Sequence, residues 1–270
     1  MSVAETEDGE KIFYRVTGDK NATRTVVMIQ GLGLSHKFWF SIPDDLAKDP
    51  ARPRRVIALD NRGTGQSSRA KPPYTMKRLA DDVACVLRDA NVDRAFLVGI
   101  SMGGMVAQHV ALRHASKVQG LVLMATMPGL PHARLPAPRT IAKLIAIGTG
   151  RDKSGKIVAE LLLPRAEMHR AREHFSGWIE EMRASPPSPA SFAGQFAAIA
   201  GHSTGFALAK IQVPTVVVTG DEDRVVPAKN SHFLARRIPG ARLEVLRGVG
   251  HAIPMIDKTI VQRALEMIDG

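Results

Sequence analysis

The 270-residue sequence predicts an α/β protein: a mostly parallel central sheet flanked by helices, with a helical insertion between two of its strands. Three observations predict it. Short β-branched and apolar runs alternate with stretches of helical period. Several of those runs are apolar throughout, as strands buried on both faces are. The alternation stops at Met127-Pro-Gly-Leu-Pro131 and resumes at Val213, with helical stretches and no strand signal between them.

The elements follow in order. Ile12, Tyr14 and Val16 alternate with Phe13 and Arg15, predicting a first strand that turns at Gly18. Thr25–Ile29 is a buried strand ended by Gly31 and Gly33, and a helix is expected over His36–Lys48. Arg55–Leu59 is the next strand, closed by the turn Asp60-Asn-Arg-Gly-Thr-Gly65. Leu79, Val83, Val86 and Leu87 share one face of a helix over Tyr74–Ala90, which carries Cys85 as a core or flank residue. Ala95–Val98 is a strand, Met102–His114 a helix and Val118–Met124 a strand.

In the insert, Ile141–Ile147, Ile157–Leu163 and Met168–Met182 read as helices, and Pro186, Pro187 and Pro189 mark a break. The strand Val213–Thr219, a helix over Ala228–Ile238, the strand Arg242–Leu246 and a last helix to Ile268 complete the chain. The predicted domains are therefore a core of residues 1–127 and 213–270, and an insert of residues 128–212.

Composition narrows the function classes. Hydrophobic residues make up 44%, enough for a sizeable core, and no apolar run reaches the roughly 20 residues that span a bilayer. The polar start MSVAETEDGEK carries no secretory pattern. Cys85 is the only cysteine, so no intrachain disulfide forms, and a reducing cytoplasm is the expected setting. The net charge of +11 raises the question of nucleic acid, but the basic residues are dispersed among acids and no aromatic residues interleave with them. No specific nucleic-acid partner and no membrane partner are expected; a small-molecule substrate is.

The chemistry concentrates in a few places. Gly99-Ile-Ser101-Met-Gly103 is a G-x-S-x-G pattern that follows a strand and opens a helix. That context puts a serine on a tight turn, with its hydroxyl above the sheet edge and the helix N-terminus beside it. A serine hydroxyl needs a base. His251 follows the strand end and glycine-rich turn Leu246-Arg-Gly-Val-Gly250, on a loop that can reach Ser101. His109 reads as a satisfied, partly buried histidine of the helix that follows Ser101. His36, His132, His169, His174, His202 and His232 read as surface or cap residues. An acid must orient the base; Asp221, Glu222 and Asp223 all lie in the loop after Thr219. No metal-ligand spacing occurs, so neither a metal nor a cofactor is expected.

These motifs together resemble the α/β-hydrolase superfamily, in its branch of small esterases, enol-lactonases, perhydrolases and C–C hydrolases. Gln30-Gly31-Leu32-Gly33 stands where that family has H-G-x-G. Asp60–Ser67 is similar to D-x-R-G-x-G-x-S, Gly220–Pro227 to G-x-x-D-x-x-x-P, and Gly250-His251 to its G-H. The resemblance implies the α/β-hydrolase fold with the insert as a helical cap, and a triad of Ser101, His251 and Asp223, selecting Asp223 among the acids. It implies an oxyanion hole from the backbone N–H groups of Leu32 and Met102, with Gln30 and Gly31 at the substrate. Gln30 departs from the family histidine, and its amide can still brace the loop. The implied activity is hydrolysis of a carboxylic ester or lactone through an acyl-enzyme. Perhydrolysis, acyl transfer or C–C hydrolysis by the same triad is an alternative, as is non-catalytic binding of a small apolar ligand. The insert carries eleven lysines and arginines against six acids, read as a charged outer face.

Overall fold

The computed structural model describes residues 2–69, 72–152, 154–170, 177–178, 180–182, 184, 186 and 188–269. Its strands form one eight-stranded sheet in the order β1-β2-β4-β3-β5-β6-β7-β8. They are β1 (Ser2–Glu5), β2 (Lys11–Thr17), β3 (Arg24–Ile29), β4 (Arg54–Leu59), β5 (Ala95–Ile100), β6 (Val118–Met124), β7 (Thr215–Gly220) and β8 (Arg242–Leu246). β1 and β2 run antiparallel at one edge, and β3 to β8 are parallel. β1 has no signal in the sequence, because only Ala4 of its four residues is buried and an edge strand needs no apolar run.

Both faces of the sheet are covered, so alternate residues of one strand enter different cores. Val27 and Ile29 of β3 pack with helices α2 (Met76–Asp89) and α3 (Met102–Arg113). Val26 and Met28 pack on the other face against α1 (Ile42–Ala47) and the C-terminal helix Ile260–Glu266. This two-sided burial explains the unbroken apolar runs. Thr75 caps α2 by accepting the Arg78 N–H at 3.1 Å.

The single helix expected over His36–Lys48 is two pieces. A 3-10 turn at His36–Trp39 ends at Phe40, whose φ of +48° breaks the helical path, and α1 starts afresh with Pro43 in its first turn. The last helix is also split, into Ile253–Ile256 and Ile260–Glu266.

Between β6 and β7 the described residues form helices: α4 (Pro138–Gly148), α5 (Lys156–Leu162), a 3-10 stretch Arg165–Arg170, and α6 (Pro189–Ala200). The helix expected over Met168–Met182 falls partly on residues 171–176 and 179, and Pro187 and His174 also lie outside the described residues. Sequence periodicity misses α6. Its segment is rich in alanine, glycine and phenylalanine, with buried or half-buried side chains on more than one side, so no polar stripe marks an outer face. Among the described residues no helix is long and apolar enough to cross a membrane.

Candidate active site

The carboxyl ends of the parallel strands form one rim of the sheet, where open α/β sheets place their ligands. The loop after β3 carries Gln30–Gly33, and the turn after the adjacent β5 carries Ser101. The loops after β7 and β8 carry Asp223 and His251.

Ser101 sits between β5 and α3 with φ +55° and ψ −120°. This left-handed conformation costs a non-glycine residue about 1–3 kcal/mol. The turn is held by Ser101 itself: its N–H donates to the Met124 carbonyl at 2.9 Å, and its carbonyl accepts from the Gly104 N–H and from the Thr126 hydroxyl. Gly103 is required because a β-carbon there would strike the Ile29 carbonyl. The turn leaves the hydroxyl at the cavity and aims the N-terminus of α3 at it.

His251 and Asp223 are both buried, with Nδ1 and Oδ2 2.7 Å apart. The other carboxylate oxygen accepts from the N–H groups of Val225 and Val226, each at 2.8 Å. Asp223 is thus an acceptor on both oxygens, so the proton of this contact belongs to His251 Nδ1, and Nε2 is free to accept. Asp221 is spent elsewhere, accepting from the Gly248 N–H at 2.7 Å, and Glu222 is exposed. Arg224 donates to the Glu160 carbonyl. Ser101 and His251 line the same cavity without a hydrogen bond between them. Such bonds in free sites commonly tighten only when substrate arrives.

The loop after β3 lies against the serine: a β-carbon on Gly31 would sit 3.3 Å from the Ser101 Cβ. Its N–H groups are ordered one by one. Gly31 N–H donates to Gln30 Oε1 at 3.1 Å, Gly33 N–H to Gln195 Oε1 at 2.8 Å, and Leu34 N–H to the Gly31 carbonyl at 3.3 Å. Leu32 N–H, in the middle, donates to none of the described residues, and neither does Met102 N–H. Gln30 braces the loop as its amide permits, with its backbone carbonyl held by Asn61 Nδ2.

Ser101, His251 and Gln30 open onto a cavity of about 370 Å³. Its remaining described lining is apolar or glycine. Phe38, Leu144, Ile147, Trp178, Phe192 and Phe196 form much of its wall, and no Asp, Glu, Lys or Arg is among the described lining residues. None of the described lysines and arginines of the insert lines the cavity.

The remaining histidines divide differently from the sequence reading. His36 is buried, its Nδ1 2.8 Å from Asp60, which also accepts the N–H groups of His36 and Gln66. His202 is 1% exposed and pairs with His109, Nδ1 to Nε2 at 3.2 Å, while its own Nε2 donates to the Met127 carbonyl at 3.0 Å. Burial pushes both histidines down to about 4, with repulsion from His109 adding to the effect on His202. Neither position looks special in sequence, since both depend on partners distant along the chain. His132 packs against Phe206 and Phe233, and His169 and His232 are exposed.

Arg62 ties the turn after β4 to Asp82 and Asp8, and its guanidinium holds the Asp8 carboxyl well below the usual carboxylate range. Cys85 donates to the Glu5 carbonyl, and burial raises its thiol pKa. Among the described residues no group of three potential metal ligands occurs.

The sheet order, the serine turn and the histidine–aspartate pair define a class. The chain belongs to the alpha/beta hydrolase fold family, whose model matches residues 24–258. Proteins similar to it include named hydrolases. It is 29% identical over 279 residues to the rhodomycin D methylesterase DnrP of Streptomyces peucetius, covering 93% of this chain and 92% of that one. It is 27% identical over 241 residues to RutD of Pseudomonas savastanoi pv. phaseolicola, named as a candidate carbamate hydrolase, covering 89% and 91%. A crystal structure of a hydrolase from Pseudomonas aeruginosa PA01 superposes with a TM-score of 0.84 at 29% identity, covering 100% of this chain and 98% of that one.

Proposed function

We propose that this protein hydrolyses a carboxylic ester or lactone of a small to medium, largely apolar substrate through an acyl-enzyme. The observation that carries the proposal is that Ser101, Leu32 and His251, the last held by Asp223, line one largely apolar cavity, while the N–H groups of Leu32 and of Met102, next to Ser101 in the chain, donate to none of the described residues. His251 Nε2 takes the Ser101 proton as Oγ attacks the carbonyl carbon. Asp223 keeps the imidazole in the required tautomer and stabilises its cation. The Leu32 and Met102 N–H groups hold the oxyanion. Loss of one such donor typically costs about 10²–10³ in rate. His251 then protonates the leaving alkoxide, and the same nitrogen removes a proton from the water that releases the acid.

Gln30 and Gly31 border the reacting carbonyl in this reading, and the helical insert of residues 128–212 acts as the cap that encloses the acyl group. A cavity walled by aliphatic and aromatic side chains favours neutral, apolar acyl groups over carboxylated ones, because burying an unpaired carboxylate there is costly.

The test uses the purified protein with activated medium-chain esters and a fluorophosphonate probe. Turnover and labelling at Ser101 are expected, and both disappear in Ser101→Ala, with turnover falling about 10⁶-fold. Turnover that survives Ser101→Ala, or a wild-type protein that neither turns over nor takes the label, sinks the proposal.

A further inference from the structure

Gln195 is fully buried on α6, inside the insert and far in sequence from every other site residue. Both ends of its amide are used. Oε1 accepts the Gly33 N–H at 2.8 Å, and Nε2 donates to the Arg62 carbonyl at 2.9 Å. The first bond reaches the loop that presents Leu32 N–H to the serine; the second reaches the turn after β4. These two contacts fix the amide orientation, since only an oxygen can accept from Gly33 and only a nitrogen can donate to Arg62.

The rest of α6 supports this fit. Ser191 lies against Gly63 and Gly194 against the Tyr74 ring, so small residues bring the helix close to the core. One helical turn round, Phe192, Phe196 and Ile199 line the cavity. The helix thus meets the oxyanion loop on one face and the cavity on the neighbouring face. If α6 moved outward, Gly33 N–H would lose its only acceptor among the described residues.

We infer that Gln195 is a positioning residue for the reaction proposed above, holding the Gly31–Gly33 loop so that the Leu32 N–H meets the developing oxyanion. The inference rests on that reading of Ser101 and Leu32. Gln195 touches no reacting atom; it acts through the backbone. A loop released by it would misplace the donor, and displacements of about 1 Å cost up to about 10²-fold in rate.

The experiment compares wild type, Gln195→Leu and Gln195→Glu on an activated medium-chain ester. It also measures binding of a trifluoromethyl ketone, which adds the Ser101 oxygen and forms an oxyanion, and of the matching secondary alcohol, which does not. Gln195→Leu is expected to lose about ten- to a hundredfold in kcat with little change in KM. Its affinity for the ketone should fall in parallel, and its affinity for the alcohol should stay. In Gln195→Glu the ratio of kcat to wild type should rise as pH falls, because a protonated carboxyl group both accepts from Gly33 and donates to Arg62. Taking the ratio removes the common titration of the base.

A folded Gln195→Leu with unchanged kcat and ketone affinity overturns the inference. So does a flat ratio in Gln195→Glu, which remains informative should the leucine variant not fold. Either result in a wild-type protein that turns over and is labelled at Ser101 leaves the hydrolase reading standing. A wild type that forms no ketone adduct removes both.

Discussion

The cavity has two unlike walls. On the sheet side, hydrogen bonds hold the groups that flank Ser101: Asp223 by two backbone N–H groups, His251 by Asp223, Gly31 by Gln30 and Gly33 by Gln195. On the insert side Leu144, Ile147, Phe192, Phe196 and Trp178 fill the wall with apolar surface. Hydrogen bonds are directional and fix atoms to fractions of an ångström, which chemistry needs. Dispersion and hydrophobic contact fix volume and polarity only, which is enough to choose a substrate. The difference predicts that substitutions on the two walls will separate kcat from KM.

The largest effect should come from the sheet side. Asp223→Asn keeps the shape but lets the imidazole hold its proton on the wrong nitrogen, and kcat should fall by about 10⁴. Steady-state kinetics checks it, and a loss below about tenfold would break the division between walls. A smaller effect belongs to the insert wall. Phe196→Ala enlarges the cavity, and kcat/KM for apolar acyl chains should shift by about tenfold, mostly through KM, with the preference moving to bulkier chains. A series of esters of increasing acyl size measures this. A fall in kcat at constant KM would show that the wall also orders the chemistry.

The smallest effect concerns the joint between the two regions. His109 on α3 and His202 after α6 are buried and hydrogen-bonded beside Met127, where the chain leaves the sheet. Their folded values of about 4 lie below the ordinary 6.5, so the unfolded chain binds more protons between those limits. Stability should therefore decline as pH falls through 6.5 toward about 4. His109→Gln keeps a donor for His202 and removes one titrating group, so it should lose less stability over that window. Urea midpoints at pH 7 and pH 5 give the comparison, and equal declines in both proteins would exclude the pair as the source.

Most of the sheet side was legible in the sequence because its signals are local. A buried parallel strand carries a continuous apolar run, as Leu121–Met124 does within Val118–Met124, whose limits agree with β6. The serine turn needs glycine at fixed positions on either side of Ser101, so its geometry is written within five residues. The acid was harder. Asp221, Glu222 and Asp223 are chemically alike in one loop; from the sequence only the family resemblance selects Asp223, and in the structure the direction of each side chain separates them. Asp223 turns to His251, while Asp221 caps Gly248.

The insert side was much less legible. α6 has no polar face to give it a period, because its exposed positions are Pro189, Ala190, Ala193, Ala197 and Ala200 and its other sides pack against the Gly31–Gly33 loop, the turn after β4 and the cavity. His36 and His202 read as surface or cap residues in the sequence because their partners, Asp60 and His109, are 24 and 93 residues away.

The sequence by itself determined the order of the buried strands and of the helices between them in the core, the serine turn and a set of candidate residues to act with it, since these depend on neighbours a few positions apart. Tertiary structure decided that the Asp223 carboxylate meets the imidazole, that the Leu32 and Met102 N–H groups donate to none of the described residues, and that Gln195 of the insert accepts from the Gly33 N–H. Those choices depend on the directions of hydrogen bonds between segments remote along the chain, and no local pattern encodes such directions.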